Sequence, residues 1–343
     1  MKIAVALSGG VDSSVTAALL QKAGHEVFGL TMLVAPSDEA AVAAVEVAAA
    51  LGIPHHTVDF RDVFSKEVIS QFCLQYSLGR TPNPCVNCNR MIKFGALLSK
   101  AVDLGAAAMA TGHYARVENN SGCLVLKKGV DLTRDQSYFL YKLTQPQLAA
   151  AVFPLGNMTK NSVRKIAAEI GLPSGRSKES REICFIPDND YPRFLREHIS
   201  TVPAGRIVDK QGKVLGKHNG IINYTVGQRK GLGISSPTPL YVIGIDAQTN
   251  TVIVGEKKDV YASEFISIDL NWLAFEKLIA PVTLKVKIRY LHAEAEALIT
   301  PVYDDKVSVK FTAPQMAVTP GQSAVFYDGD VVVGGGTIER VLN

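Results

Sequence analysis

The densest group of reactive residue types is Ser8-Gly9-Gly10-Val11-Asp12-Ser13-Ser14. Two adjacent glycines let a backbone bend and approach a ligand with no Cβ in the way. A helix starting just after them would aim its unpaired N–H groups at an anion. Ser8, Ser13 and Ser14 add hydroxyl donors, and Asp12 can orient the loop or hold a magnesium ion. No Gly-Lys-Ser/Thr follows, which separates this loop from the Walker type. The bland alternative is a strand–helix turn with incidental serines. The chemistry expected is the capture of a phosphate chain.

The second group is the thiols. Cys85 and Cys88 stand in Arg80-Thr-Pro-Asn-Pro-Cys-Val-Asn-Cys-Asn89, and Cys184 in Glu182-Ile-Cys-Phe-Ile-Pro187, after the polar run Ser177-Lys-Glu-Ser-Arg181. Two prolines and three asparagines predict a loop around Cys85 and Cys88 rather than a helix interior. Basic neighbours (Arg80, Arg90, Lys93; Lys178, Arg181) are expected to lower thiol pKa values. Cys-x-x-Cys could be half a zinc site, but no second such pair and no His-x₃-His is present. A thioredoxin-like dithiol lacks its fold context, which leaves sulfur carriage open. Cys73, on a helix, and Cys123, in a hairpin, read as inert buried thiols. Five cysteines in a long chain argue against a disulfide framework.

Elements that could hold these groups follow from periodicity. Ile3–Leu7 is a short apolar strand, and Val11–Ala23 has helical spacing ending at Gly24. Val27–Leu33 is a strand, Ser37 a helix cap, and Gly52 and Pro54 end that helix near Leu51. His56–Phe60 reads as strand, Val63–Tyr76 and Lys93–Leu104 as helices, and Ala107–Thr111 as strand. This alternation predicts an α/β doubly wound parallel sheet, with helices on both faces. Asn119-Asn-Ser-Gly122 marks a β-hairpin between Ala115–Val117 and Cys123–Leu126. Helices are expected at Gln145–Ala151, Thr159–Ile170 and Pro192–His198.

From Pro203 on, short alternating runs predict two smaller β-rich modules: Gly205–Val208, Gly220–Val226, Leu240–Asp246, Thr251–Val254, Val282–Ile288, Ala295–Thr300, Lys306–Phe311, Ala324–Tyr327 and Val331–Glu339. Their boundary is placed near Ser263–Ser267. The expected division is 1–200, 201–264 and 265–343.

The chain has 343 residues, 47% hydrophobic and 20% charged, which excludes a disordered protein. It contains no run of 18 uncharged apolar residues, and the apolar start, Lys2–Leu7, is too short for a signal-peptide core. A cytoplasmic protein without a membrane partner is expected. The net charge of +4 is uneven: residues 160–234 hold 14 of the 36 basic and 7 of the 32 acidic side chains. A basic middle suits a polyanion, although a solvated surface reads the same way.

The Ser8–Ser14 loop resembles that of the N-type ATP pyrophosphatases, which cleave ATP to AMP and pyrophosphate while adenylating a carbonyl oxygen. With it occur, in order, the Gly79–Pro84 loop and its cysteines, Thr111-Gly-His-Tyr114, Asp135-Gln-Ser-Tyr-Phe-Leu140, Ile183-Cys-Phe-Ile186, Gly227-Gln-Arg-Lys-Gly-Leu-Gly233 and Thr319-Pro-Gly-Gln-Ser-Ala-Val-Phe-Tyr327. Over nearly its whole length the chain resembles the bacterial tRNA-specific 2-thiouridylases of the MnmA type.

The resemblance implies ATP-dependent sulfur insertion at C2 of the wobble uridine in tRNAs for Lys, Glu and Gln. It implies a last domain that is a β-barrel. ATP with Mg²⁺ would lie on Ala6, Leu7, Ser8, Gly9, Gly10, Val11, Asp12 and Ser13, with Met32 and Gly112. Cys184 would carry a persulfide, and Cys88 would release the sulfur through a transient disulfide, with a segment around Lys178–Ile186 closing over the site. Asn83, Pro84 and Cys85 would hold the target base. His113, Arg134, Asp135, Gln136, Arg289, Tyr290 and Gln322 would contact tRNA, with the basic Gly227–Gly233 segment against its backbone. An upstream sulfur-relay protein or cysteine desulfurase would supply sulfur. Some members carry an acidic residue where this chain has Cys85, so Cys85, Cys88 and Cys184 could instead hold a [4Fe-4S] cluster. A small-molecule ligase of the same superfamily and a non-enzymatic RNA-binding or sulfur-relay module are the competing readings.

Overall fold

The computed structural model describes residues 1–34, 39–120, 122–172, 183–303 and 305–342. The expected cap Ser37 and the run Ser177–Arg181 lie outside them.

The first module is built on strands β1 (Lys2–Ala6), β2 (Glu26–Leu33), β3 (His55–Asp59), β4 (Ala108–Ala110) and the two-residue β7 (Ala151–Val152). They pair in parallel in the order β3-β2-β1-β4-β7. Alternation along β1 sends its side chains to two cores. Ile3, Val5 and Leu7 pack with Ala17 and Leu20 of helix α1 (Val11–Lys22) and with Ala44 and Val47 of α2 (Glu39–Leu51). Ala4 faces the opposite side, among Phe94, Leu97 and Ala101. Helices cover both faces, as expected of a doubly wound sheet.

Two helices depart from straight α geometry. α3 covers 61–77 with a π-helical stretch at Ser65–Ile69, and α4 covers 84–103 with one at Cys88–Leu97. The segment expected as a loop around Cys85 and Cys88 is therefore the start of α4, which begins at Pro84 rather than Lys93. Pro84 occupies the first helical turn, where a missing N–H costs nothing. Asn83 caps it, its Oδ1 accepting from the Cys85 N–H at 3.2 Å.

Strands β5 (Ala115–Asn120) and β6 (Cys123–Lys128) form the expected hairpin. Helices α5 (Gln145–Ala149), α6 (Lys160–Glu169) and α7 (Tyr191–His198) follow. Thr159 caps α6 by accepting from Ser162 N–H at 3.2 Å. Val163 and Ala167 of α6 pack with Val15 of α1 and with Tyr114, which brings the first turn of α6 to the Ser8–Ser14 loop.

A four-stranded sheet of order β10-β11-β8-β9 comprises β8 (Gly205–Val208), β9 (Val214–His218), β10 (Tyr241–Asp246) and β11 (Thr251–Gly255). Gly220–Val226, expected as a strand, holds a 3₁₀ turn at Ile221–Asn223 instead. β9 was not expected.

The last module is a closed barrel of six antiparallel strands: β12 (Tyr261–Trp272), β13 (Val282–Lys287), β14 (Ala295–Val302), β15 (Lys306–Met316), β16 (Ser323–Asp328) and β17 (Val331–Leu342). Pairing of β12 with both β15 and β17 closes the ring. The stretch Ser263–Ser267 lies inside β12, so the barrel's first strand runs through the expected boundary.

The barrel is fused to the first module. Val325, Tyr327 and Val332 join the same buried cluster as Phe94, Tyr138 and Tyr141. Full burial of one Phe such as Phe94 contributes about 1.5–3 kcal/mol. The buried hydroxyls find partners: Tyr138 donates to Ser323 O at 2.9 Å and Tyr141 to Gly336 O at 3.2 Å. Lys142 pairs with Asp269, and Lys128 donates to Glu294 Oε2 at 2.8 Å.

Candidate active site

The Ser8–Ser14 loop sits at the C-terminal end of β1 and opens α1. Gly9 has φ +72°, and a Cβ there would stand 2.5 Å from Ala43 Cβ, so only glycine fits. Gly10 caps α1 with no side-chain bond, leaving the helix's first N–H groups free for an anion. The serines lock the turn: Ser13 and Ser14 hydroxyls donate to Gly10 O at 3.0 and 2.8 Å, and Ser8 N–H donates to Ser13 Oγ at 3.2 Å. Ala6 and Leu7 end the strand that aims the loop, and Val11 sits in the first turn of α1.

Asp12 is held from two sides. Lys160 Nζ donates to both carboxylate oxygens at 2.8 Å, and Tyr114 OH donates to Oδ1 at 2.8 Å. Burial and the Asp12 charge together push the Tyr114 phenol up. Lys160 is the main residue that the sequence reading missed. A lysine in the first turn of a helix faces the positive end of the macrodipole, which is itself a signal that an anion waits nearby.

Gly112 packs on the same turn: a Cβ would meet the Asp12 backbone at 2.9 Å and Ser13 N at 3.0 Å. Thr31, one strand over, donates to Leu7 O at 2.8 Å and meets His55 Nε2 at 2.8 Å, fixing the end of β2. Met32 is partly buried against the cluster that contains Cys88. It lies near the end of β2, the strand that pairs with β1.

Cys85 and Cys88 lie on the first turns of α4. Cys88 packs among Phe64, Val68 and Ile92, with Phe185 against the same group. Phe185 meets Phe64 and Phe72 edge-on at 5.6 and 5.5 Å and Phe194 at 5.3 Å. This anchor brings its neighbour Cys184, distant in sequence, to Cys85 and Cys88, and the three thiols feel one another's charge. Cys184 is exposed and Cys88 buried. Cys73 is buried, whereas Cys123 is exposed, against expectation, at the edge of the hairpin.

The expected lowering of the thiol pKa values is overturned. Burial pushes Cys85 up to about 11 and Cys88 up to about 12, and desolvation of its sulfur raises Cys184 as well, although the residue as a whole is exposed. Desolvation of the thiolate outweighs the opposing pull of Lys93, the cation that acts on all three. In the π-helical stretch, Lys93 follows Cys88 by one wide turn, which aligns the two on one face. His113 is buried with its Nδ1 2.7 Å from Thr111 Oγ1, packed beside Phe94 and Phe153, and burial holds it well below the usual histidine range, as a neutral ring.

Among the described residues, no group of three or more His, Cys, Asp or Glu side chains is arranged to hold a metal ion. Cys85, Cys88 and Cys184 do not form such a group.

The expected tRNA contacts divide. Arg134, Gln136, Arg289 and Tyr290 are partly exposed, and Tyr290 packs on Phe139 with ring centroids 4.4 Å apart. Asp135 is 4% exposed and turned inward, its carboxylate accepting from Gly129 N, Ser137 N and Ser137 Oγ at 2.9–3.1 Å. His113 is also buried. Gln136 Oε1 accepts from Tyr114 N–H at 3.1 Å, and Gln322 Nε2 donates to Thr81 O at 2.7 Å.

Three family matches tile the chain: the tRNA methyl transferase HUP domain at residues 1–188, the tRNA methyl transferase PRC-barrel domain at 192–256, and the aminomethyltransferase beta-barrel domain at 262–338. The chain is 53% identical to tRNA-specific 2-thiouridylase MnmA 1 of Caldanaerobacter subterraneus, over 99% of this chain and 98% of the relative. It is 51% identical to MnmA 2 of a Thermoanaerobacter species, over 99% and 98%. It is 48% identical to MnmA of Acetivibrio thermocellus, over 98% and 99%. With that identity sustained from end to end, the chain belongs to the tRNA-specific 2-thiouridylase family of the MnmA type.

Proposed function

We propose that this protein thiolates C2 of the wobble uridine in tRNAs of the Lys, Glu and Gln type, using ATP. The observation that carries the reading is the meeting of Cys88 and Cys184 beside Met32, near the end of the strand that pairs with β1, which leads into the Ser8–Ser14 loop. A phosphate-binding turn and two convergent thiols suit adenylation followed by sulfur transfer.

ATP is a substrate here. Its phosphates fit the free N–H groups at the start of α1, with Lys160 and the serine hydroxyls alongside. Mg²⁺ is proposed as the counter-ion of those phosphates. Asp12, already bonded to Lys160 and Tyr114, serves first to place the lysine. The uridine O2 attacks the α-phosphorus, and the α–β bridge breaks to release pyrophosphate. Asn83, Pro84 and Cys85, at the capped start of α4, line the place proposed for the base, with Arg134, Gln136, Arg289 and Tyr290 toward the anticodon stem-loop.

The terminal sulfur of a persulfide on Cys184, loaded by an upstream desulfurase or relay protein, then attacks C2. The new C2–S bond forms as the C2–O bond breaks, and AMP leaves with the electron pair. The Cys88 thiolate attacks Cys184 Sγ, and the bridging S–S bond breaks toward the transferred sulfur. Uridine N3 regains a proton, matching the one Cys88 lost. A Cys88–Cys184 disulfide remains for an external thiol to reduce. The high thiol pKa values keep both cysteines protonated at rest, and Lys93 opposes that burial cost when a thiolate forms.

No helix among the described residues is long and apolar enough to cross a membrane. Release of pyrophosphate from ATP that depends on adding unmodified tRNA tests the adenylation half. A tRNA-independent release, stimulated instead by a small carboxylate or amide, would favour the ligase reading.

A further inference from the structure

The segment that leads into the helix carrying Cys85 and Cys88 is gripped from outside its own module. Gln322 of the barrel donates from Nε2 to Thr81 O at 2.7 Å and leans on Pro82 O at 3.4 Å. Thr81 N–H donates in return to Pro320 O at 2.9 Å. Gly321, at φ +91°, leaves no room for a side chain: a Cβ would stand 2.9 Å from Arg80 Cβ and 3.0 Å from Thr81 N. The Thr319–Gln322 turn is itself rigid. Gln322 N–H bonds Thr319 O at 3.2 Å, with Pro and Gly at its two centres as a type II turn requires, and Ile338 of β17 bonds it on both sides.

The next barrel residue continues the grip. Ser323 O accepts from Tyr138 OH at 2.9 Å, and the Asn83 side chain meets the same hydroxyl. Consecutive barrel residues therefore hold 81–83, one directly and one through Tyr138. Asn83 is the cap that sets where α4 begins, and α4 sets where Cys85 and Cys88 stand.

We propose that Gln322 is a positioning residue: its amide, spent on Thr81 and Pro82, makes the barrel a part of the active site by fixing the Asn83 turn. This rests on the thiolation reading above. It differs from the expected role of Gln322 as a tRNA contact, because its side-chain donor is already committed to the protein.

The two roles separate in kinetics. In Gln322→Met, the positioning role predicts that kcat for thiolation falls about tenfold to a hundredfold, as misplacement of a reacting group does, while tRNA Kd stays within a factor of about two. Tyr138→Phe, which keeps the ring and removes the second tether, should show the same split if Gln322→Met proves unstable. Iodoacetamide alkylation of Cys88, followed by peptide mass spectrometry, should change rate in both variants without any tRNA present. That readout stands even if the thiolation reading fails, since it needs no substrate. A weakened Kd with kcat and the alkylation rate unchanged would overturn the proposal in favour of a tRNA contact. No change in kcat or alkylation rate in either variant would also overturn it.

Discussion

Lys160 lies 148 residues from Asp12 in sequence, yet its Nζ donates to both carboxylate oxygens of Asp12 at 2.8 Å. The pair ties the first turn of α6 to the first turn of α1, beside the Ser8–Ser14 loop. Lys160 is nearly buried there, with 8% of its side chain exposed, while Asp12 keeps 34%.

Lys160→Met should therefore cost less than the roughly 3–5 kcal/mol of breaking a fully buried pair, because water can still reach Asp12. Its effect on chemistry should be larger. On the proposed function, losing the cation beside the Ser8–Ser14 loop predicts a fall of about a hundredfold in tRNA-dependent pyrophosphate release. Calorimetric ATP binding and a thermal melt on the same variant check both. A melt lowered with pyrophosphate release intact would confine Lys160 to a structural role.

Raised thiol pKa values make a prediction about pH. With Cys88 pushed up to about 12, its alkylation rate should climb about tenfold per pH unit between pH 7 and 9, without a plateau. Lys93→Met removes the opposing charge and should slow alkylation of Cys85, Cys88 and Cys184 together at any fixed pH in that range. A plateau near pH 7 would mean that burial is offset more fully than the packing indicates. The linkage has a definite sign: folding raises these pKa values, so the unfolded chain ionises first, and stability should decline as pH rises above about 8.5.

Gly112→Ala places a methyl 2.9 Å from the Asp12 backbone. Overpacking of this kind costs about 1–3 kcal/mol, and here the displaced atoms belong to the loop proposed to hold ATP. Weaker ATP binding, measured by calorimetry, should accompany the lowered melt. Unchanged ATP affinity in a folded variant would show that the loop tolerates the shift.

The parallel sheet was legible because β1 and β2 are short apolar runs separated by helical periodicity, and because Gly24 and Gly52 end helices where φ turns positive. The start of α4 was not. Counting prolines and asparagines favoured a loop, whereas position decides: Pro84 in the first turn and Asn83 before it are helix-start residues. β9, Val-Leu-Gly-Lys-His, carries no alternating apolar run, and the apolar Ile221-Ile222 of the 3₁₀ turn reads the same as a strand. The loop motif and the thiols were visible as residue types. Their electrostatics were not, because the desolvation that raises Cys88 comes from Phe64, Val68 and Ile92, which only the fold brings round it. Lys160 and Gln322 became partners of Asp12 and Thr81 through contacts between elements remote in sequence, which no local pattern records.

The central claim is that Cys184 carries the sulfur to an ATP-activated uridine. Anaerobically purified protein should be incubated with ATP, Mg²⁺, a sulfide or persulfide source and unmodified tRNA for Glu, and the digested tRNA searched for 2-thiouridine by mass spectrometry. The account predicts 2-thiouridine from the wild type only when ATP is present, and none from Cys184→Ser despite near-normal tRNA binding. Thiolation by Cys184→Ser at the wild-type level, or by the wild type without ATP, would contradict it.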